Sequence, residues 1–247
     1  VMYAINVDAS RAVVEAAAKV GVERLLYCSS VATLGISTNG TPANEETPTS
    51  LEEKIGYYKR SKYLGEQVAL KAAENTGLPM VTVHPSAPVG PRDIRPTPTG
   101  RMVLDGISGK LPAFIDTGLN IVHVEDVAEG ILLAFEKGEV GEHYILGGDN
   151  MSLREIFHEL ADLAGCKPPK IELNPTMLTP LAWLSELGAR VTKKEPRLHM
   201  DVLRMARKRM YFSSEKAERK LGYRARSARE ALDDAAEWFR ANGYCGK

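Results

Sequence analysis

Tyr58-Lys59-Arg60-Ser61-Lys62 places a phenol and an ammonium four residues apart. On a helix that spacing puts both on one face. The pair suits one kind of chemistry. Moving a hydride to or from a carbon that bears oxygen also moves a proton on that oxygen. A phenol, with an ordinary pKa of about 10, does this near neutral pH only when its ionised form is favoured. A neighbouring ammonium favours it, because opposite charge stabilises the phenolate. Upstream lies Tyr27-Cys28-Ser29-Ser30-Val31, at the end of an apolar run. A serine hydroxyl there can hydrogen-bond a substrate oxygen. Ser30 is assigned that role, with Ser29 second. Downstream comes His84-Pro85-Ser86-Ala87-Pro88-Val89-Gly90-Pro91. The tyrosine-lysine spacing alone is weak. With nine Tyr and 15 Lys in the chain, roughly half a match is expected by chance. Tyr58 alone has a Lys four residues on, and the competing reading is a core aromatic at a helix start. The flanking serines and the strand-Pro-Ser run decide for chemistry.

The elements that must position these residues follow from periodicity. A helix is expected over about 6–19, stopped by Gly21. Arg24-Leu25-Leu26-Tyr27 reads as a buried parallel strand. Residues 35–55, rich in Gly, Thr, Pro and Asn, form a loop of functional length. A helix spans about 57–74, followed by strands at 80–83 and 120–123. Glu125 and Asp126 open a helix to about 136, with acids suited to its N-terminal dipole. Residues 143–146 form a strand ending in Gly147-Gly148. Alternating strand and helix predicts a parallel α/β sheet. After Ser152 the pattern becomes mainly helical, with helices near 152–164, 176–191, 197–209, 214–221 and 227–241. Two parts are expected: 1–150 with the catalytic residues, and a smaller helical substrate lobe at 151–247, interleaved with parts of 87–120.

Composition narrows the function classes. The formal net charge is zero, so no global field favours nucleic acid. Cys28, Cys166 and Cys245 form no C-x-x-C, which predicts a reducing, cytoplasmic location. The histidines at 84, 123, 143, 158 and 199 show no ligand spacing, so no metal is expected. No apolar run is long enough to span a bilayer. Residues 190–224 carry 12 Lys/Arg against 4 acids. A solvated helix face is the favoured reading; an anionic substrate group or, beside the apolar Met177–Leu187 segment with Trp183, an acidic membrane surface are the minority readings.

These runs together resemble the extended short-chain dehydrogenases, the NAD-dependent epimerase/dehydratase family. Asn6-Val7-Asp8 is similar to the family's Asn-Val-x-Gly-Thr helix start, with Ala9-Ser10 in place of Gly-Thr. Ser29-Ser30, the Tyr58/Lys62 pair, Val122-His123-Val124-Glu125-Asp126-Val127-Ala128, Tyr144-Ile145-Leu146-Gly147-Gly148 and Lys216-Ala217 with Leu221-Gly222-Tyr223 match in order. The 85–93 and 96–101 runs, with Asp116–Asn120, resemble the hopanoid-associated sugar epimerase subgroup, close to the dihydroflavonol-reductase-like enzymes. The resemblance implies a Rossmann-type doubly wound parallel sheet and NAD or NADP as cofactor. It implies Tyr58 as acid/base, Lys62 on the nicotinamide ribose, Ser30 on the substrate oxygen and Asn6 completing a tetrad. Pro85 and Ser86 take positions beside the nicotinamide. Asn6 has a second reading as a helix N-cap, and Asp126 is expected to cap its own helix. A homodimer through the helices near 4–19 and 57–74 is a family-level expectation.

Departures bear on the substrate. Nucleotide-sugar epimerases usually carry Asn where Ala87 stands and Arg where Leu119 stands. Their Arg-Pro-Gly-Asp run before the late Lys-Ala has no counterpart here. Diphosphates favour Arg forks, so a smaller or more apolar hydroxy or keto compound stands equal to a UDP-sugar. The glycine-rich phosphate loop that follows a first strand is also not found; Gly35 to Gly40 lies in a loop with no helix opening. The resemblance therefore implies that roughly 70–90 residues of a parent chain precede Val1. Three functions compete: sugar epimerisation, one-way reduction of a ketone or aldehyde, and a non-catalytic fragment that only binds.

Overall fold

The computed structural model describes residues 2–37, 40–109, 111–115, 117–180, 183, 185, 200–206 and 208–245. A widened π turn at Ala4–Asp8 leads into α1, Ala9–Lys19, which runs on to β1, Leu25–Cys28. A single 3-10 turn, Val31–Thr33, follows Ser30. Next come α2, Gly56–Thr76, then β2, Met80–Pro85, and β3, Ala87–Val89. The chain continues through α3, Pro98–Ile107; β4, Ala113–Phe114; β5, Gly118–His123; and α4, Val124–Lys137. Then follow β6, His143–Leu146; β7, Asp149–Ser152; α5, Leu153–Ala164; and β8, Ile171–Glu172. The last described elements are α6, Met200–Ala206; α7, Glu215–Leu221; and α8, Ala228–Ala241.

Two compact units divide the chain. One holds 1–89, 120–149 and 211–231; the other holds 90–119, 150–210 and 232–247. In the first, β1, β2 and β6 form a parallel sheet in that order. Side chains alternate between faces of a strand. Val81 and Val83, with Leu26 from β1, pack with Val127 and Ala134 of α4 and Ala217 and Leu221 of α7. Met80, with Leu25 and Tyr27, packs with Val14 of α1 and Ala69, Ala72 and Ala73 of α2. Helices thus cover both sheet faces, which is why the strands read as near-continuous apolar runs. The fold is a Rossmann-type α/β sheet.

Local signals set the helix ends. Gly77 takes the left-handed conformation at φ 68° and closes α2, its N–H reaching the Ala73 and Glu74 carbonyls. Without a Cβ that conformation carries no steric cost. The helix at 124–137 corrects one expectation. Asp126 is not its cap; His123 precedes the first turn and accepts the Glu125 N–H at 3.1 Å. Asp126 sits too far into the helix to cap it. It instead accepts the Arg226 backbone N–H and Nε at 2.7 and 2.8 Å.

In the second unit α3 and α5 pack where Gly106 meets Leu160. Thr97 caps α3, and Ser152 with Glu155 forms a capping box on α5. Tyr244 donates its hydroxyl to the Ile94 carbonyl at 2.7 Å. The short strands β3, β4, β7 and β8 were not anticipated; each has two to four residues, too few to show a period. The helix expected at 176–191 falls mostly outside the described residues. Of the one at 197–209, Met200–Ala206 is helical. Part of the basic 190–224 stretch, and Asp116, likewise lie outside them. No helix among the described residues is long and apolar enough to cross a membrane.

Candidate active site

Parallel pairing brings the first two site segments together. Leu25 to Cys28 stand opposite Met80 to Val83, and the Ser29 N–H donates to the Val83 carbonyl at 2.8 Å. Ser29-Ser30 and Pro85-Ser86 therefore leave neighbouring strands at the same carboxyl edge, where ligands bind in open α/β sheets. Ser30 is extended, at φ −168° and ψ 150°, and its hydroxyl accepts the Ala32 N–H at 3.2 Å. The two candidate serines part here. Ser29 is 5% exposed and commits its hydroxyl to the Glu66 carboxylate. Ser30 stays partly exposed.

Tyr58 and Lys62 both lie on α2. Tyr58 is 53% exposed. Lys62 is half-buried. Its charge reaches the end of β1, where burial pushes the Cys28 thiol up and the Lys62 ammonium pulls it down.

The π turn brings in Asn6. Its Nδ2 donates to Ser61 Oγ at 2.9 Å, and Ser61 Oγ donates to the Tyr58 carbonyl at 2.9 Å. Asn6 therefore caps no helix, and the capping reading is corrected: it stands inside a continuous helical stretch whose cap positions make no side-chain bond. The close approach depends on Gly65. A Cβ there would overlap the Asn6 carbonyl oxygen. Ser10 Oγ donates to that same carbonyl at 2.8 Å and lies 3.2 Å from the Tyr27 hydroxyl. π turns recur at functional sites.

At the end of β2, the Ser86 N–H donates to the Leu146 carbonyl at 3.1 Å. The Ser86 hydroxyl is buried with no partner. An orphaned polar atom of this kind is costly in the protein alone and points to a ligand that satisfies it.

The family model for the NAD dependent epimerase/dehydratase family matches residues 1–147. The chain belongs to that family. It is 40% identical over 247 residues to the putative dihydroflavonol 4-reductase of Synechocystis sp., covering 98% of this chain and 72% of that protein. Among solved structures, that of gox2253 superposes at TM-score 0.89 with 51% identity, over 98% of this chain and 73% of the other. PA4631, a nucleoside-diphosphate-sugar epimerase from Pseudomonas aeruginosa, superposes at 0.81 with 27% identity, over 97% and 75%. The family is NAD dependent, and the parallel α/β sheet is the fold of its solved relatives.

Sequence spacing missed one cluster beside this site. His84 and His143, 59 residues apart, come together with Glu66 beneath the Ser29-Ser30 segment. No local signal joins them; only the β2–β6 pairing, with Thr82 opposite His143, brings the two imidazoles to one face.

Proposed function

We propose that this protein catalyses NAD(P)-dependent hydride and proton transfer at a hydroxyl-bearing or keto carbon of a small molecule. The observation that carries the reading is the orphaned Ser86 hydroxyl at the same sheet edge as Ser30, with Tyr58 and Lys62 on one helix of the same unit. Asn6, Ser30, Tyr58, Lys62, Pro85 and Ser86 would hold the dinucleotide. When bound, it supplies or accepts the hydride. Tyr58 exchanges a proton with the substrate oxygen through its hydroxyl. Lys62, one turn further along α2, would hold the cofactor's ribose. Ser30 hydrogen-bonds the same oxygen and stabilises the charge that develops on it. Asn6, through Ser61, holds the first turn of α2 and with it the Tyr58 backbone.

The finer reading is reduction of a ketone or aldehyde. Support comes from the 40% identity to a putative dihydroflavonol 4-reductase and from Ala87 and Leu119, which offer no fork to a diphosphate. The second reading, epimerisation of a sugar, is supported by the likeness to PA4631. The test is a fluorescence titration of the purified protein with NADH and NADPH, followed by a screen of carbonyl compounds and nucleotide sugars. Net consumption of reduced cofactor supports the reductase. Turnover that leaves the cofactor unchanged supports the epimerase. Binding of neither nucleotide overturns both.

A further inference from the structure

Glu66 stands on α2 one turn beyond Lys62 and two beyond Tyr58, yet is 5% exposed. A buried carboxylate is costly unless donors converge on it. Here its Oε2 accepts from the Ser29 hydroxyl and from Thr33 Oγ1, the latter at 2.8 Å. His84 is fully buried beside them. Its Nδ1 lies 3.3 Å from Thr33 Oγ1, 3.3 Å from the Ser30 carbonyl and 3.6 Å from Glu66 Oε2. Its Nε2 lies 3.0 Å from His143 Nδ1.

The acceptors fix the proton positions. The Ser30 carbonyl and the Glu66 carboxylate can only accept, so His84 Nδ1 carries the hydrogen. Nε2 is then the acceptor, and His143 donates to it from Nδ1. Burial holds the His84 pKa down to about 4, so the ring is neutral. The result is a directed chain, His143 to His84 to the Ser30 carbonyl and the Glu66 side, with the Ser29 hydroxyl donating to the carboxylate and the single Thr33 hydroxyl proton shared between that carboxylate and the Ser30 carbonyl, each 2.8 Å away. A metal centre is the other use for such a trio. Against it, His84 Nε2 and His143 Nδ1 stand 3.0 Å apart, at hydrogen-bonding distance and closer than the about 3.4 Å that tetrahedral zinc keeps between its nitrogens. The two nitrogens of His84 also face opposite neighbours and cannot both turn to one ion.

We propose that Glu66 is a positioning residue for Ser30. Its carboxylate ties the Ser29–Thr33 segment to the helix that carries Tyr58 and Lys62, while His84 holds the Ser30 carbonyl from β2. This rests on the reading of Ser30 as the group that meets the substrate oxygen. The clamp sets where the Ser30 hydroxyl stands relative to the helix, and a displacement of about 1 Å there is enough to cost up to about 100-fold in rate.

The test pairs histidine nitrogen NMR with crystallography. In the wild-type protein at neutral pH, His84 and His143 should both appear as neutral Nδ1–H tautomers. Glu66→Gln, which keeps the shape and removes the charge, should shift the His84 resonances and displace Ser30 Oγ by about 1 Å. Glu66→Asp, which keeps the charge with a shorter reach, should restore the histidine signature in part. Either histidine in the Nε2–H form, or a folded Glu66→Gln with Ser30 and both histidines unmoved, overturns the proposal. If Glu66→Gln does not fold, Ser29→Ala and Thr33→Val remove the donors singly, and the same two readouts decide. Ser30→Ala separates the two readings. It leaves the histidine signature intact, so unimpaired NADPH-dependent carbonyl reduction in that variant would sink the role of Ser30 while the clamp stands.

Discussion

Acid should destabilise this protein through His84, and the size of the effect follows from its burial. The ring is inaccessible to water, and burial lowers its pKa from 6.5 to about 4; the Ser30 carbonyl opposes the shift, and the Lys62 and Lys216 charges add to it. In the unfolded chain the same imidazole takes a proton near pH 6.5. Between those values the unfolded state binds more protons, so stability rises with pH. The contribution is complete above about pH 6.5 and is lost as pH falls toward 4. At 1.36 kcal/mol per unit, the difference of about 2.5 units amounts to about 3 kcal/mol. For a chain of this size that is a fall of about 6–12 °C in Tm. His143 titrates with the same sign, since burial and the His84 charge lower it too. Glu45 has the opposite sign, because burial raises its carboxyl pKa. Comparing wild type with His84→Gln removes the Glu45 contribution and the part of the His143 one that comes from its own burial. Chemical denaturation at pH 7.5 and pH 4.5 should show wild type losing about 2.5 kcal/mol more than the variant. Parallel losses in the two proteins would refute the reasoning, since the buried imidazole would then titrate as it does in water.

Other substitutions test the site and its supports. Ser86→Ala removes an unpartnered buried hydroxyl, so Tm without cofactor should hold or rise, while NADH affinity drops about 2–12-fold, the worth of one hydrogen bond; unchanged affinity by titration would remove Ser86 from the cofactor site. Tyr58→Phe should lower turnover about 100- to 10,000-fold with nucleotide binding retained, read as steady-state kinetics beside a binding isotherm. Gly65→Ala drives a methyl into the Asn6 carbonyl and should cost about 1–3 kcal/mol in urea denaturation. Tyr223→Phe deprives the buried Gly147 carbonyl of the hydroxyl that donates to it at 3.0 Å; a loss of about 1–2 kcal/mol is expected, and a neutral result would show that water replaces it.

Much of the candidate site could be read from order and spacing. Tyr58 and Lys62 share a helix face because 3.6 residues make a turn, whatever surrounds them. The apolar runs at 25–27, 80–83 and 143–146 announced buried parallel strands, because strands covered on both faces lose their alternation. Segments of two to four residues, such as Ala113–Phe114, carry no such period and were silent. The choice between Ser29 and Ser30 also needed the fold. Both hydroxyls follow the same strand, and only the packing of α2 against β2 gives Ser29 a carboxylate partner. Asn6 reaches Ser61 across 55 residues, Asp126 meets Arg226 across 100, and His84 meets His143 across 59. Local sequence determines which backbone turns and strands form and which groups share a face of one element. The register between elements is set by burial of whole faces, so tertiary structure alone decided which polar groups meet in the interior.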